Sequence, residues 1–356
     1  MLRENYNVIG VMSGTSLDGI DLAHIQFQLR SGKWSFTIAE CETVAYDPEW
    51  VVRLNEAVRY TDAQRDALDS EYSVLLAAVI TAFIHKYQIG NIDAVCSHGH
   101  TVLHQPQNGI TVQIGNRSAI AQLCGQTVVC DFRVQDVALG GQGAPLVPIG
   151  DRILFSGYDY CLNLGGFSNV SFEQDGQRIA FDISAVNTVL NFYAKKLGFA
   201  FDRGGAISRT GNIHAELLAE LNALEYYKKP YPKSLGIEYV NTVMLPLIQR
   251  YALPPADCLG TFTEHIAQQL AAALRVQTGS MLVTGGGAYN TFLMERIQHY
   301  LPLMQIVVPE PKILEFKEAL IFALLGVLRL RNETNVLHSV TGASHDHCSG
   351  VVFVPE

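Results

Sequence analysis

Residues 7–28 read NVIGVMSGTSLDGIDLAHIQFQ, and the class of the whole chain turns on how this stretch folds. Residues 7–12 have the apolar character of a strand, 13–19 are small and polar, and 20–28 resume with apolar and polar residues partly alternating. That is the pattern of a β-hairpin whose turn is a glycine loop. The plan returns half a chain later: residues 160–164 predict a strand, GGFSN a turn, 170–173 a returning strand, QDGQ a second turn and 179–182 a third strand. No short-period repeat is present, so two such units imply a duplicated α/β architecture rather than a solenoid.

The rest of the chain fits that plan. Thr61 and Gln64 have capping-box spacing, and the stretch up to Tyr87 carries apolar residues at helical intervals until Gly90, predicting one long helix or two short ones. A short strand at 94–96 is predicted to run into the loop SHGHT, and a strand at 127–130 into DFRVQD. Near the C-terminus a strand at 280–284 leads through GGG to Asn290, a helix cap, and residues 315–331 predict an amphipathic helix. The tail from 341 returns to strand-like composition and is expected to pack on the first domain. The glycine- and proline-rich stretch LGGQGAPLVP, residues 139–148, is the natural domain boundary. The expected division is a first lobe of 1–138 with 340–356, and a second lobe of 139–339.

Composition excludes several classes. A chain of 356 residues, 48% hydrophobic and 17% charged, has the make-up of roughly two packed domains. A net charge of −9 argues against a surface built for nucleic acid or an anionic membrane. The apolar runs 74–84 and 319–328 fall short of the roughly 20 residues of a membrane span and read as buried core helices. The N-terminus shows no signal core, and the seven cysteines include no Cys-x-x-Cys pair, which points to reduced thiols in a cytoplasmic protein.

Three glycine turns follow apolar strands: Gly14 to Gly19, Gly165 with Gly166, and Gly285 to Gly287. Any one is explained by turn chemistry alone. Together, with the last opening a helix, they form a pattern suited to phosphate and nucleotide. None has the Walker pattern or the Gly-x-Gly-x-x-Gly fingerprint. What remains is the actin-like arrangement, with phosphates held by two hairpins and adenosine by a glycine turn.

GVMSGTSLDGIDLA at 10–23, SHGHTVLHQP at 97–106, TVQIGN at 111–116, VVCDFRVQDVALGGQGAPLVP at 128–148, LNLGGFSNV at 162–170, PKSLGIEYVN at 232–241, LVTGGGAYN at 282–290 and VTGAS at 340–344 follow one another in the chain. In type and order they resemble the anhydro-N-acetylmuramic acid kinases, over almost the whole length. The resemblance implies a two-lobed actin-like ATPase fold of the ribonuclease H-like kind. Each lobe is then a mixed β-sheet flanked by helices, with ATP in the interlobe cleft. It also implies an activity: 1,6-anhydro-N-acetylmuramic acid, ATP and water become N-acetylmuramic acid 6-phosphate and ADP, a step of cell-wall recycling, in a homodimer. Where the family has Phe-Asp-Thr-Gly-Pro-Gly-Asn, this chain has FDISAVN at 181–187. Asp182 and Asn187 are kept, the glycines and the proline are not, and a kinase for a different sugar is the close alternative. A nucleotide-dependent switch protein without turnover is the reading from another class.

The resemblance makes Asp182 the catalytic base; taken alone, an Asp after a strand reads as a cap for a helix starting near Ser184. Gly14, Thr15, Ser16, Leu17, Asp18, Gly19, Ile20 and Asp21 are expected to bind the nucleotide, with Ser13 adding a hydroxyl. Gly165 and Gly166 face the phosphates, and Gly285, Gly286, Gly287 and Asn290 the adenosine. Asp18 and Asp21 are candidates for Mg²⁺, which takes one or two carboxylates beside phosphate and water, although either could simply stabilise the turn. Thr101, Arg133 and Glu318 are the sugar-binding candidates, Arg133 suiting a lactyl carboxylate through paired hydrogen bonds, against a plain surface ion pair. His98, His100 and His104 resemble a metal set in spacing only; hydrogen-bonded histidines are the expected outcome, and His345, His347 and Cys348 read as solvated.

Overall fold

The computed structural model describes residues 3–14 and 16–356. The chain forms two compact units, residues 1–155 with 316–356, and residues 156–315.

The first unit is built on a seven-stranded sheet. The opening segment is the predicted hairpin, β1 (Asn5–Ser13) and β2 (Ile20–Arg30), paired antiparallel with Met12 opposite Asp21. Then come β3 (Lys33–Val44), β4 (Ala94–Gln105), β5 (Ile110–Ile114) and β6 (Val128–Cys130), and the chain's last strand, β12 (Val351–Phe353), pairs with β6. The spatial order is β12-β6-β4-β1-β2-β3, with β5 on β4; β1, β4 and β6 run parallel, while β2 is antiparallel to both its neighbours.

The second unit repeats the scheme. Strands β7 (Tyr160–Leu164), β8 (Phe167–Gln174), β9 (Gln177–Ala185), β10 (Thr278–Thr284) and β11 (Leu303–Val307) lie in the order β11-β10-β7-β8-β9. Three strands meander antiparallel, then two more join parallel to the first. With β5 and β12 set aside, both sheets share the order 3-2-1-4-5 with the second strand reversed, which is the ribonuclease H-like sheet of actin-like ATPases. Parallel neighbours need crossovers, so each sheet is covered by helices.

Two helices show how sequence pattern becomes packing. Asp62–Lys86 is a single helix started by the full Thr61–Gln64 capping box. It has the length and composition to cross a membrane, but Leu68, Tyr72, Leu76, Ile80 and Phe83 form a stripe buried in the first unit's core. The run 74–84 is therefore amphipathic rather than buried throughout, with Val74 56% exposed. In Pro311–Leu330 the run 319–328 is the buried core helix expected, its apolar residues no more than 2% exposed, so the amphipathic character expected from 315 does not extend through it. A helix apolar all round must be buried all round. Gly10 on β1 lets it approach, since a Cβ there would run into the Ala319 carbonyl.

These packings place the unit boundaries away from the sequence-based division. Residues 139–155 and 316–339 belong with the first unit. The helix Val147–Leu154 lies on this unit, with Gly150 against Ile321, and Lys317 pairs with Asp151 at 2.7 Å. The Gly/Pro-rich stretch 139–148 is an ordered loop of that unit: Gly143 N–H donates to the buried Asp136 carboxylate and Gln142 N–H to the Thr341 carbonyl. Chain near Phe316 passes between units where the helix departs from helical dihedrals (φ −108°, ψ 16°). All seven cysteines are free thiols, five of them buried.

The tight seat of the buried helix on β1 carries a prediction. Gly10→Val should lower the midpoint of thermal unfolding by roughly 5–10 °C, the effect of overpacking against fixed backbone. Calorimetry checks it, and an unchanged midpoint would show the contact to be slack.

Candidate active site

In the first unit the site begins with a bulge. Strand β4 does not end at Cys96 but runs to Gln105, absorbing one extra residue between its pairings Val11↔Ser97 and Ser13↔His100. Gly99 takes φ +69° there, a conformation glycine adopts without penalty. Bulges of this kind re-aim side chains, and the expected loop SHGHT is a bent strand.

The three histidines of that strand go to three different partners. His98 donates from Nδ1 to the Gly99 carbonyl at 2.9 Å, leaving Nε2 as an acceptor. Arg133 donates to that Nε2 from Nε (3.1 Å) and Nη2 (2.8 Å), and Gln113 donates to it from Nε2 (3.1 Å). Burial, followed by the Arg133 charge, holds His98 well below its ordinary pKa, so it is neutral. His100 bonds through Nδ1 to Ser13 Oγ at 2.8 Å and is pulled down to about 4 by burial. His104 bonds Thr111. Among the described residues no group of three or more His, Cys, Asp or Glu is arranged for a metal.

The sugar candidates come together around this bulge. Gln113 also donates to Thr101 Oγ1 at 3.1 Å. Arg133 sends Nη1 to the Gly143 carbonyl at 2.6 Å and lies 6.0 Å over the Phe322 ring. With Nε committed to His98, the hydrogens left over are on its two terminal nitrogens, a fork suited to a carboxylate. Burial lowers the Arg133 pKa to about 10, opposed by the Glu318 and Asp136 charges. Glu318 keeps a water-accessible surface, yet the packing round its carboxyl raises its pKa; Arg133 opposes the rise and Asp21 adds to it. Arg133, Glu318 and Asp21 are thus one electrostatic group, which Thr101 joins through Gln113. Sequence reasoning missed Gln113 and Gly143, which support it; TVQIGN was quoted without a role, and the stretch holding Gly143 was read as a domain boundary.

The first glycine turn is less uniform than expected. Thr15 lies outside the described residues. Ile20 is 1% exposed and belongs to the core, so only its backbone is available to a ligand. Leu17 has φ +60° and its N–H bonds the Gly14 carbonyl at 3.3 Å. Ser16 and Asp18 are exposed, and Asp21 accepts from Thr43 Oγ1 at 2.6 Å. Two carboxylates on a polar turn, one of them already repelled by Glu318, fit a hard cation completed by phosphate and water.

Not every glycine in the turns answers to a ligand. Gly19, Gly285 and Gly287 are required by packing: a Cβ at Gly19 would strike the Val44 carbonyl, and at Gly285 and Gly287 the Leu164 backbone within 2.9 Å. At Gly14 the nearest atom would be 3.6 Å away, and at Gly286 nothing lies within 4 Å. The fold does not need glycine at these two positions, and the open space suits a nucleotide. Gly166 accepts from Val186 and Thr188 N–H, and Gly165 from Asn187 N–H, closing the β7–β8 turn onto the helix Asn187–Lys196. Asn290 caps the helix Thr291–Tyr300, as predicted, through Oδ1 to Leu293 N–H at 3.0 Å. Gly205, in a segment the sequence reading passed over, packs against Asn290 and Phe292.

Asp182 lies inside β9, not at a helix cap. The strand carries its own bulge: Ser168 pairs with Ser184 and Asn169 with Asp182, leaving Ile183 as the extra residue. Leu235 N–H donates to Asp182 Oδ2 at 2.9 Å, Asp182 N–H donates to the Lys233 carbonyl at 3.1 Å, and Tyr226 OH donates to the Asp182 carbonyl at 2.6 Å. Oδ1 has no partner among the described residues. Burial raises the carboxyl pKa and the Leu235 bond partly offsets the rise. A half-buried carboxylate with one tethered and one idle oxygen has the form of a general base. The altered loop beside it turns inward: Ala185 and Val186 are fully buried in the apolar core, and Val186 keeps a negative φ of −130°.

Comparison with known proteins identifies the family of the chain. The family model for anhydro-N-acetylmuramic acid kinase matches residues 6–355. Proteins named anhydro-N-acetylmuramic acid kinase from Saccharophagus degradans and Synechococcus elongatus are each 34% identical to this chain. The alignments cover 98% of this chain and 98% of the first protein, and 97% of this chain and 99% of the second. Among solved structures, a ROK family glucokinase from Streptomyces griseus in complex with glucose and AMPPNP aligns over 90% of this chain and 99% of its own, at 15% identity and a TM-score of 0.42. The chain belongs to the anhydro-N-acetylmuramic acid kinase family.

Proposed function

We propose that this protein is an ATP-dependent kinase that converts 1,6-anhydro-N-acetylmuramic acid and water to N-acetylmuramic acid 6-phosphate, in the recycling of peptidoglycan. The observation that carries the reading is Asp182, held with one oxygen tethered and the other idle on a bulged strand. Asp182 takes a proton from water as the water oxygen bonds to the anomeric carbon. The bond from that carbon to the bridging O6 breaks, and O6 accepts the γ-phosphoryl group of ATP, releasing ADP. The raised pKa makes Asp182 a stronger base than an exposed aspartate.

The first unit's polar group supplies recognition. The free fork of Arg133 takes the lactyl carboxylate, with His98 and the Gly143 carbonyl fixing its plane, and Thr101 and Glu318 bond the ring substituents. Backbone at Gly14 to Gly19 and at Gly165–Gly166 takes the phosphates, and Gly286 with Asn290 the adenosine. Asp18 and Asp21 would hold Mg²⁺, which neutralises charge on the phosphates when bound. The change at residues 184–186 leaves the substrate class intact, because Ser184, Ala185 and Val186 face the interior. On family resemblance the enzyme works as a homodimer in the cytoplasm.

Incubation with Mg·ATP and the anhydro sugar should yield ADP and the 6-phosphate sugar in equal amounts by mass spectrometry; ADP without sugar phosphate would refute the reading. Asp182→Asn should cut kcat by roughly 10²–10⁴-fold while ATP binding persists. The rate should fall as pH drops through the Asp182 pKa, because the base works only when ionised; this acid limb lies above the ordinary aspartate value of 3.8. Arg133→Lys, which keeps charge and loses the planar fork, should raise KM for the sugar by about tenfold or more and leave KM for ATP unchanged.

A further inference from the structure

Asp182 and Ser184 are gripped by two consecutive tyrosines from one short helical turn, Glu225–Lys228. Tyr226 OH donates to the Asp182 carbonyl at 2.6 Å, and Tyr227 OH lies 3.0 Å from Ser184 Oγ. Between the two contacts stands the bulge residue Ile183, 2% exposed. The tyrosines therefore bracket the place where β9 departs from regular pairing.

The second contact continues inward, and its donor directions are fixed by chemistry. His265 on the helix Pro255–Ala273 has Nδ1 2.7 Å from Asn222 Oδ1. A carbonyl oxygen only accepts, so Nδ1 carries the hydrogen and the neutral ring offers Nε2 as an acceptor. His265 is fully buried, and burial holds its pKa near about 3. Tyr227 OH, 2.7 Å from that Nε2, must donate to it, which leaves the tyrosine oxygen to accept from Ser184 Oγ–H. The order Ser184 to Tyr227 to His265 to Asn222 is a one-way chain, and Gln269 Nε2 adds a second donor to Asn222 Oδ1 at 2.8 Å.

The same segment reaches Asp182 at two further atoms, through the Lys233 carbonyl and the Leu235 N–H. Tyr231 between them stacks on Phe181 at 5.2 Å, 6° from parallel, but sends its hydroxyl to Gln174 rather than to Asp182. Lys233 turns its ammonium onto the Tyr226 ring, 4.9 Å from its centre. The segment from 226 to 235 thus holds Asp182 at its carbonyl through a tyrosine hydroxyl, and at its N–H and one carboxylate oxygen through backbone. In FDISAVN, a serine hydroxyl and buried methyl groups stand where the family has glycines and proline.

We propose that Tyr226 and Tyr227, the latter anchored on His265, are positioning residues that fix Asp182 on its bulged strand. The inference rests on the proposed role of Asp182, and its test reads the carboxylate directly. Aspartate ¹³C-carboxyl NMR, with the Asp182 signal assigned by Asp182→Asn, follows its titration in wild type, Tyr226→Phe, Tyr227→Phe and the control Tyr231→Phe; kcat and both KM values are measured alongside. Loss of either grip loosens the Leu235 bond, so the Asp182 titration should move to higher pH. The titratable groups around it are Tyr226 and Lys233, and neither changes charge in that range. For these two variants kcat should fall about tenfold with KM for ATP unchanged, while Tyr231→Phe matches wild type. Unchanged titration and kcat in both variants, or equal shifts in Tyr231→Phe, would overturn the proposal. A wild type that turns over no sugar would refute the kinase reading, while the titration would still decide the positioning role.

Discussion

A carboxylate is well placed to take a proton from water when one of its oxygens is left open to that water and the whole group is kept from swinging away. The Leu235 amide meets both conditions by occupying Oδ2 alone. Burial of the carboxyl raises its pKa and adds basicity, and the Leu235 bond offsets part of that rise. Around this single bond the second unit is organised: the bulge at Ile183 aims Asp182, the segment 226–235 holds its backbone, and the helix 255–273 backs that segment through His265. None of these contacts involves a group that changes charge near neutrality, so the grip on Asp182 is constant there.

The two units solve related problems with the same sheet. Each has an antiparallel meander followed by parallel strands, a glycine turn after its first strand, and a bulge beside a residue of the site. In the first unit the bulge turns His98 towards Arg133; in the second it sets Asp182. A regular strand alternates faces strictly, so a bulge is the cheapest way to re-aim one side chain without disturbing the core on either side.

The features readable from the sequence were those with local causes. The two hairpins, the capping box at Thr61, the Asn290 cap and the strand-turn-helix at 280–300 each depend on a few neighbouring residues, and all appear close to their expected places. The bulged course of β4 was hidden because a glycine between histidines reads as a loop. The course of residues 139–148 was hidden for a different reason: glycine and proline mark an irregular path, and only the distant Asp136–Thr341 contact shows that this path is packed within a domain. At the site, Asp182, Arg133, Thr101 and Glu318 were named from motifs. Gln113, Tyr226, Tyr227 and Leu235 were not, since their roles arise from contacts 12 to 53 residues away in sequence.

Coupling of ring opening to phosphoryl transfer is the chemical core of this account. Turnover in H₂¹⁸O, quenched within the first cycles, separates the two places water could attack. The mechanism predicts one ¹⁸O at the anomeric carbon of the sugar phosphate and none in its phosphoryl group. Label in inorganic phosphate, with the anhydro ring intact, would mean that water attacks ATP instead and would contradict the assignment of Asp182 as the base for ring opening.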